Sequence, residues 1–132
     1  MLRFNHMASD FHPLFLFLGE AADLLALANI LSRFSSDAQE VALEQIFPQG
    51  ENKVRLTLEP ATHRFGLRHD AGEQFRWRLN AWQAQQLAER IAQLTPRARK
   101  SGSDIFELGD EGEIPVKVSL GEFTDDFLVS KF

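Results

Sequence analysis

Residues 53–94 read KVRLTLEPATHRFGLRHDAGEQFRWRLNAWQAQQLAERIAQL, and this stretch decides the fold class. Val54, Leu56 and Leu58 alternate with Lys53, Arg55, Thr57 and Glu59. A period of two places one face in a core and the other in water. Pro60 has no amide hydrogen for a ladder, so the first strand should stop there. Phe65 and Leu67 then alternate with Arg64 and Arg68, and His63 and His69 share the parity of Phe65. Asp70-Ala71-Gly72 reads as a hairpin turn. Beyond it Phe75, Trp77 and Leu79 point one way, and Gln74, Arg76 and Arg78 the other. The pattern predicts an antiparallel meander, dry on one face and solvated on the other.

A helix should follow at Asn80, whose side chain can accept from a free amide of the first turn while Gln83 reaches back to complete a capping box. Ala84, Leu87, Ala88, Ile91 and Leu94 recur at helical spacing. Thr95-Pro96 should end the helix, because the residue before a proline is pushed out of the α region.

Outward from this centre the signals weaken. Residues 1–10 show no period and are expected to form a loose arm ahead of a single α+β domain over residues 11–132. Phe11 to Leu18 reads as an apolar strand buried on both faces, broken by Gly19. A helix to about Phe34 should follow, with Leu24, Leu27, Ala28, Leu31 and Phe34 in one stripe and Glu20 and Asp23 at its positive end. Glu40 to Phe47 is expected to be a strand. On the far side, Asp104 to Leu108 and Glu113 to Leu120 read as strands around a Gly109–Gly112 turn. Pro115 predicts an edge position for the second of these, and Phe127, Leu128 and Val129 are expected to dock at the end.

The expected fold is therefore α+β: a mainly antiparallel sheet of six to seven strands with two helices on one face, in the order β-α-β-β-β-β-α-β-β. The two helices align at an offset of about 63, Leu24 with Leu87 and Leu31 with Leu94, which suggests a βαββ duplication. Any two amphipathic helices would align about as well.

At 132 residues the chain is long enough for one domain with a real core. It has no cysteine, which excludes disulfides, thiolate metal sites and a cysteine nucleophile, and fits a reducing cytoplasm. No apolar run is long enough to span a membrane. The net charge of −5 disfavours nucleic acid and anionic membranes as partners.

That charge is unevenly spread: net −5 over residues 1–52, +6 over 53–100 and −6 over 101–132. Arg64, Arg68, Arg76 and Arg78 should share the outer face of the meander, and Lys53 and Arg55 could extend it. Planar guanidinium forks suit carboxylates and phosphates, so these four are the candidate site for an anion or a partner. Acidic side chains from elsewhere in the chain could equally neutralise them. No aromatic stands on that face to stack bases, which argues against RNA.

The acids at Asp104, Glu107, Asp110, Glu111 and Glu113, with Glu122, Asp125 and Asp126, do not match an EF-hand loop and read as solvated turns. His6, His12, His63 and His69 offer no ligand spacing, and no nucleophile motif accompanies them. No catalytic residue, metal or cofactor is assigned. The expected function is a non-enzymatic cytoplasmic module that binds a protein partner or itself as a homodimer, with an inhibitor or immunity role as one form of it. The alternative is a domain that binds an anion or small molecule on the arginine face.

Overall fold

The computed structural model describes residues 1–8, 13–95 and 102–121. Its class is α+β, with eight strands in two mixed sheets and three helices. In chain order they are β1 (Arg3–Met7), β2 (Leu14–Gly19), α1 (Ala21–Asp37), β3 (Val41–Ala42), α2 (Leu43–Ile46), β4 (Arg55–Pro60), β5 (Gly66–Ala71), β6 (Gln74–Leu79), α3 (Ala81–Ala92), β7 (Gly102–Phe106) and β8 (Val116–Leu120). Sheet one has the order β1-β2-β8-β7 and sheet two the order β3-β4-β6-β5. The single antiparallel sheet expected from the pattern is thus replaced by two. In each, the central pair is parallel and both flanking pairs are antiparallel.

The central stretch folds as its parity requires. Phe75, Trp77 and Leu79 are buried, and Arg76 and Arg78 lie on the other face, half-covered. β5 and β6 form the expected hairpin, turning at Gly72 with φ at +57°. The meander itself does not form, because β4 pairs in parallel with β6 and leaves β5 outside. Alternation specifies which face a strand buries but not which neighbour it takes. Asn80 caps α3 as expected: its Oδ1 accepts from the Gln83 amide at 2.8 Å, and Gln83 Oε1 accepts from the Asn80 amide at 2.9 Å.

Three other expectations change. Residues 3–7 are a strand and not a loose arm, since Leu2 and Phe4 are fully buried and β1 pairs with β2 through five residues. The strand expected over Glu40–Phe47 shrinks to Val41–Ala42 and becomes a helical turn, in keeping with the helix preference of Leu, Glu and Gln. β8 is interior, lying between β2 and β7. Pro115 precedes it, so the missing amide costs no ladder bond, and the Pro115 carbonyl accepts from Phe15 at 2.9 Å. The apolar strand starts at Leu14, and its expected start at Phe11 lies outside the described residues, as does the docking of residues 127–129. As expected, β2 is buried on both sides: Phe15 and Phe17 face the main core, while Leu16 and Leu18 join Met7 in a second cluster.

The internal repeat is present, in a form the helix offset obscures. β1-β2-α1-β3-β4 and β5-β6-α3-β7-β8 have matching element order apart from the α2 turn. Phe15 and Phe75, Phe17 and Trp77 occupy equivalent places, and so do their parallel partners Val116 and Leu56, Val118 and Leu58, all 60 residues apart. The helix caps Glu20 and Asn80 and the buried pairs Leu27/Leu87, Ala28/Ala88 and Leu31/Ile91 keep the same offset. An offset of 63 looked right in the helices because positions three apart share a helix face. It is correct only for β1 and β5, where Phe4 matches Leu67 and His6 matches His69. The halves are interleaved, since each sheet takes one antiparallel pair from each half.

Three of the four edge strands, β1, β7 and β5, have outward backbone groups bonded by side chains or by another segment. At β1 the Phe4 amide donates to Gln49 Oε1 at 2.9 Å, Gln49 Nε2 donates to the Leu2 carbonyl at 3.0 Å, and Asn52 Nδ2 donates to the Phe4 carbonyl at 2.9 Å. At β7 the Asp104 carboxylate accepts from the Ile105 amide, while Arg90 reaches the Ile105 carbonyl and pairs with Asp104 at 2.9 Å. At β5 the Ile114 amide donates to the Leu67 carbonyl at 2.8 Å. Such closure suppresses strand addition by another chain. Among the described residues no helix is long and apolar enough to cross a membrane.

Replacing Gln49 by Ala removes two of the bonds that close β1. Urea unfolding should show a loss of about 1–3 kcal/mol with an unchanged m-value. A variant as stable as the parent would mean that water already satisfies this edge.

Candidate functional site

Register brings three of the four candidate arginines together. Arg68 lies opposite Arg76 across β5–β6, and Arg78 opposite Glu59 across β4–β6. All three are engaged within the protein. Arg76 pairs with Asp70 at 3.1 Å and with Glu59 and Glu40 at 3.4 Å each. The hydrogen bond to Asp70, with the nearby carboxylates, raises the Arg76 pKa further above its already high value. Asp70 reaches Arg76 because the hairpin carries an irregularity between His69 and Ala71, leaving Asp70 without a cross-strand partner. Arg78 pairs with Glu59 at 2.7 Å and donates to the carbonyls of Arg64 and His63. Arg68 donates to the carbonyls of Arg64 and Phe65 and stands 4.0 Å from Asp110. The neutralising acids come from the sheet itself, the loop after α1 and the C-terminal segment.

Arg64 differs. It lies in the 61–65 connection between the two halves, with φ at +53°, a left-handed conformation that costs a non-glycine residue about 1 kcal/mol or more. Its carbonyl is held by Arg68 Nε at 3.1 Å and Arg78 Nε at 3.0 Å. Among the described residues its guanidinium has no hydrogen bond or ion pair. That side chain lines a cavity of about 650 Å³, shared with His6, His69, Arg68, Phe75 and Ile114. It also lines a smaller groove of about 330 Å³, which Arg68 and His69 share and which extends to Arg76 and Arg78.

The cavity lies where the two sheets meet. His6 of sheet one and His69 of sheet two, equivalent positions of the two halves, both rest on the Phe75 ring, with centroids at 4.8 and 5.0 Å. His69 Nε2 stands 2.7 Å from the Gly72 carbonyl. A carbonyl only accepts, so this nitrogen carries the proton. His6 Nε2 is buried without a hydrogen-bond partner among the described residues. Burial, and secondarily repulsion from His69, lower the His6 pKa below its usual 6.5. The sequence presents His6 only as a histidine without ligand spacing, because residues 1–10 show no simple period. The alternation of Leu2, Phe4 and His6 against Arg3 and Asn5 was the available signal.

The remaining candidates are occupied or dispersed. Glu113 accepts from the amides of Leu108, Gly109 and Asp110 at 2.8–3.2 Å, so this backbone nest already holds a carboxylate. Gly66 permits the approach: a Cβ there would lie 2.5 Å from Glu113 Cγ. Asp110 accepts from the Phe65 amide at 2.6 Å, and Asp104 pairs with Arg90. Among the described residues no three histidines or acids gather as a cation site; Glu122, Asp125 and Asp126 lie outside them, as does His12. Among the described residues the His63 ring bonds only the neighbouring Thr62 hydroxyl, at 3.3 Å, in an exposed loop beside the smaller groove. Lys53 and Arg55 line a separate groove with Glu44 and Gln49.

Comparison of the chain with protein-family models, with curated proteins and with solved structures yields no match. The site must be read from its own chemistry: an arginine without an ion pair among the described residues, beside a partly apolar wall.

The lowered pKa of His6 has a consequence for stability. Between the folded pKa and 6.5 the unfolded chain holds the extra proton, so stability falls as pH drops below 6.5 and levels off below the folded pKa. Chemical denaturation between about pH 7.5 and pH 5 should show this loss, and His6→Leu should flatten it. Identical slopes for the two proteins would contradict the burial of His6.

Proposed function

We propose that the protein is a non-enzymatic binding domain that holds a small anion on Arg64 at the mouth of the inter-sheet cavity. One observation carries this. Arg68, Arg76 and Arg78 spend their charge on Asp110, Glu59, Asp70 and Glu40, whereas Arg64 has no ion pair among the described residues and its carbonyl is held by Arg68 and Arg78 at the junction of two cavities. A backbone held in a sparsely populated region by its neighbours is a common mark of ligand sites. The cavity volume of about 650 Å³ lies within the range usual for small-molecule sites. The arginine-face function proposed from the sequence thus narrows to Arg64 as ligand-binding residue, with Arg68 beside it and Arg76 and Arg78 as internal struts.

A second function, the binding of a protein partner, is favoured by Trp82, which stands 70% exposed on the first turn of α3. Exposed tryptophan is enriched at interfaces. Self-association by strand pairing has less in its favour, because the β1, β5 and β7 edges are at least partly capped.

Titration of the full chain with acetate, benzoate, sulfate and inorganic phosphate, followed by amide chemical shifts, tests the anion site. At least one should bind, with shifts centred on Arg64, His69 and Phe75. Arg64→Gln should weaken binding by roughly 10-fold or more, the worth of a charged hydrogen bond. Arg76→Gln should leave the affinity within about threefold. Equal binding by Arg64→Gln and the parent, or the reverse ranking of the two variants, would overturn the assignment.

A further inference from the structure

We infer that the anion is a monocarboxylate carrying an apolar body, with its carboxylate on Arg64 and its body in the inner part of the cavity. This rests on the anion-binding function proposed above and narrows its ligand class. Three features of the cavity point to it.

The first is charge. Of the cations lining the cavity, Arg68 already stands beside Asp110, and the Glu73 carboxylate adds a negative charge to the lining. Among the described residues Arg64 is the lining arginine left without an ion pair, and Glu73 opposes its charge. A monoanion asks for no more than this one guanidinium. A phosphate monoester, carrying about −1.5 to −2 near neutral pH, would bring excess negative charge towards Glu73. His6 adds little positive charge, since burial pushes it towards its neutral form, and the His69 Nε2–H already bonds the Gly72 carbonyl.

The second is geometry. A guanidinium fork meets the two oxygens of a carboxylate with parallel hydrogen bonds. The usual complement to such a fork in phosphate sites is a nest of backbone amides. The nest described here, at Leu108–Asp110, is filled by Glu113.

The third is the apolar wall. Arg64, Arg68 and His69 belong to both cavities, whereas His6, Val54, Phe75 and Ile114 line only the larger one. That portion therefore presents aliphatic and aromatic carbon beside the polar Asn5 and Glu73 and an imidazole whose Nε2 is buried. A charged head at the junction leaves the rest of a ligand against these groups, where each methylene removed from water adds to affinity.

Isothermal titration of the full chain near neutral pH, with acetate, butyrate, hexanoate and octanoate alongside sulfate and inorganic phosphate, tests the inference. Affinity should rise about two- to fourfold per methylene, and octanoate should bind well above phosphate. Arg64→Gln should weaken every carboxylate by a similar factor, at least about 10-fold, while keeping the slope with chain length. If sulfate or phosphate binds through Arg64 and the carboxylates show no gain with length, the anion site stands and the monocarboxylate class falls. If octanoate binds the parent and Arg64→Gln equally, the cavity takes apolar bodies without reading their charge, and the inference falls. If no probe binds, both the site and its ligand class fall.

Discussion

The structure depends on four aromatic rings meeting between two sheets. Phe15 approaches Phe75 with centroids 5.3 Å apart, and Phe17 stacks on Trp77 at 5.5 Å. Each ring comes from the central strand of its own sheet, and each such strand is paired in parallel with a strand of the other half of the chain. Aromatic pairs bury more area than any other side-chain pair and add a geometric preference of their own. The contact therefore fixes the spacing of the sheets and locks the two halves together. Neither half holds a complete sheet, so neither can bury its strands alone. The facing stripes of α1 and α3, built on equivalent residues such as Ala28 and Ala88, belong to the same continuous core.

The candidate site follows from that arrangement. Interleaving brings His6 and His69, which are equivalent in the two halves, onto the same Phe75 ring, and the gap beside them is the cavity. The segment joining the halves runs past this gap and carries Arg64. The pair is chemically unequal despite its equivalence. His69 is exposed and bonded to a carbonyl, while the Nε2 of His6 is buried and unbonded. The outer faces of the two sheets have diverged further. Sheet two carries its arginine and glutamate network there, and sheet one carries Leu16 and Leu18 in an apolar cluster.

How much of this could be read from the chain varies element by element. β6 and α3 were clear because alternation and capping are local: Phe75, Trp77 and Arg76 declare their faces, and Asn80 and Gln83 declare a helix start. Partner choice was not clear, because β4 and β5 have the same parity signal whichever side of β6 they join. The first strand escaped notice because its five residues include a histidine and an asparagine that break a simple apolar count. At the site, the arginine parity was legible, but the acids that neutralise it were not. Glu59, Asp70, Glu40 and Asp110 converge from four different segments, and only the parallel register places Glu59 opposite Arg78. Arg64 looked like its three neighbours. Its distinction is a left-handed backbone in a loop, which no periodicity encodes.

Interleaving also makes a statement about cooperativity. Domains often open in separable units whose amides exchange at different free energies. Here each parallel pair joins strands of opposite halves, so opening one sheet breaks both halves. Native-state hydrogen exchange measured against denaturant tests this most directly. Amides of β2 and β8 in one sheet and of β4 and β6 in the other should merge into a single opening isotherm, equal in free energy to global unfolding. Two isotherms separated by more than about 2 kcal/mol, one for each sheet, would contradict the account of a single interleaved core.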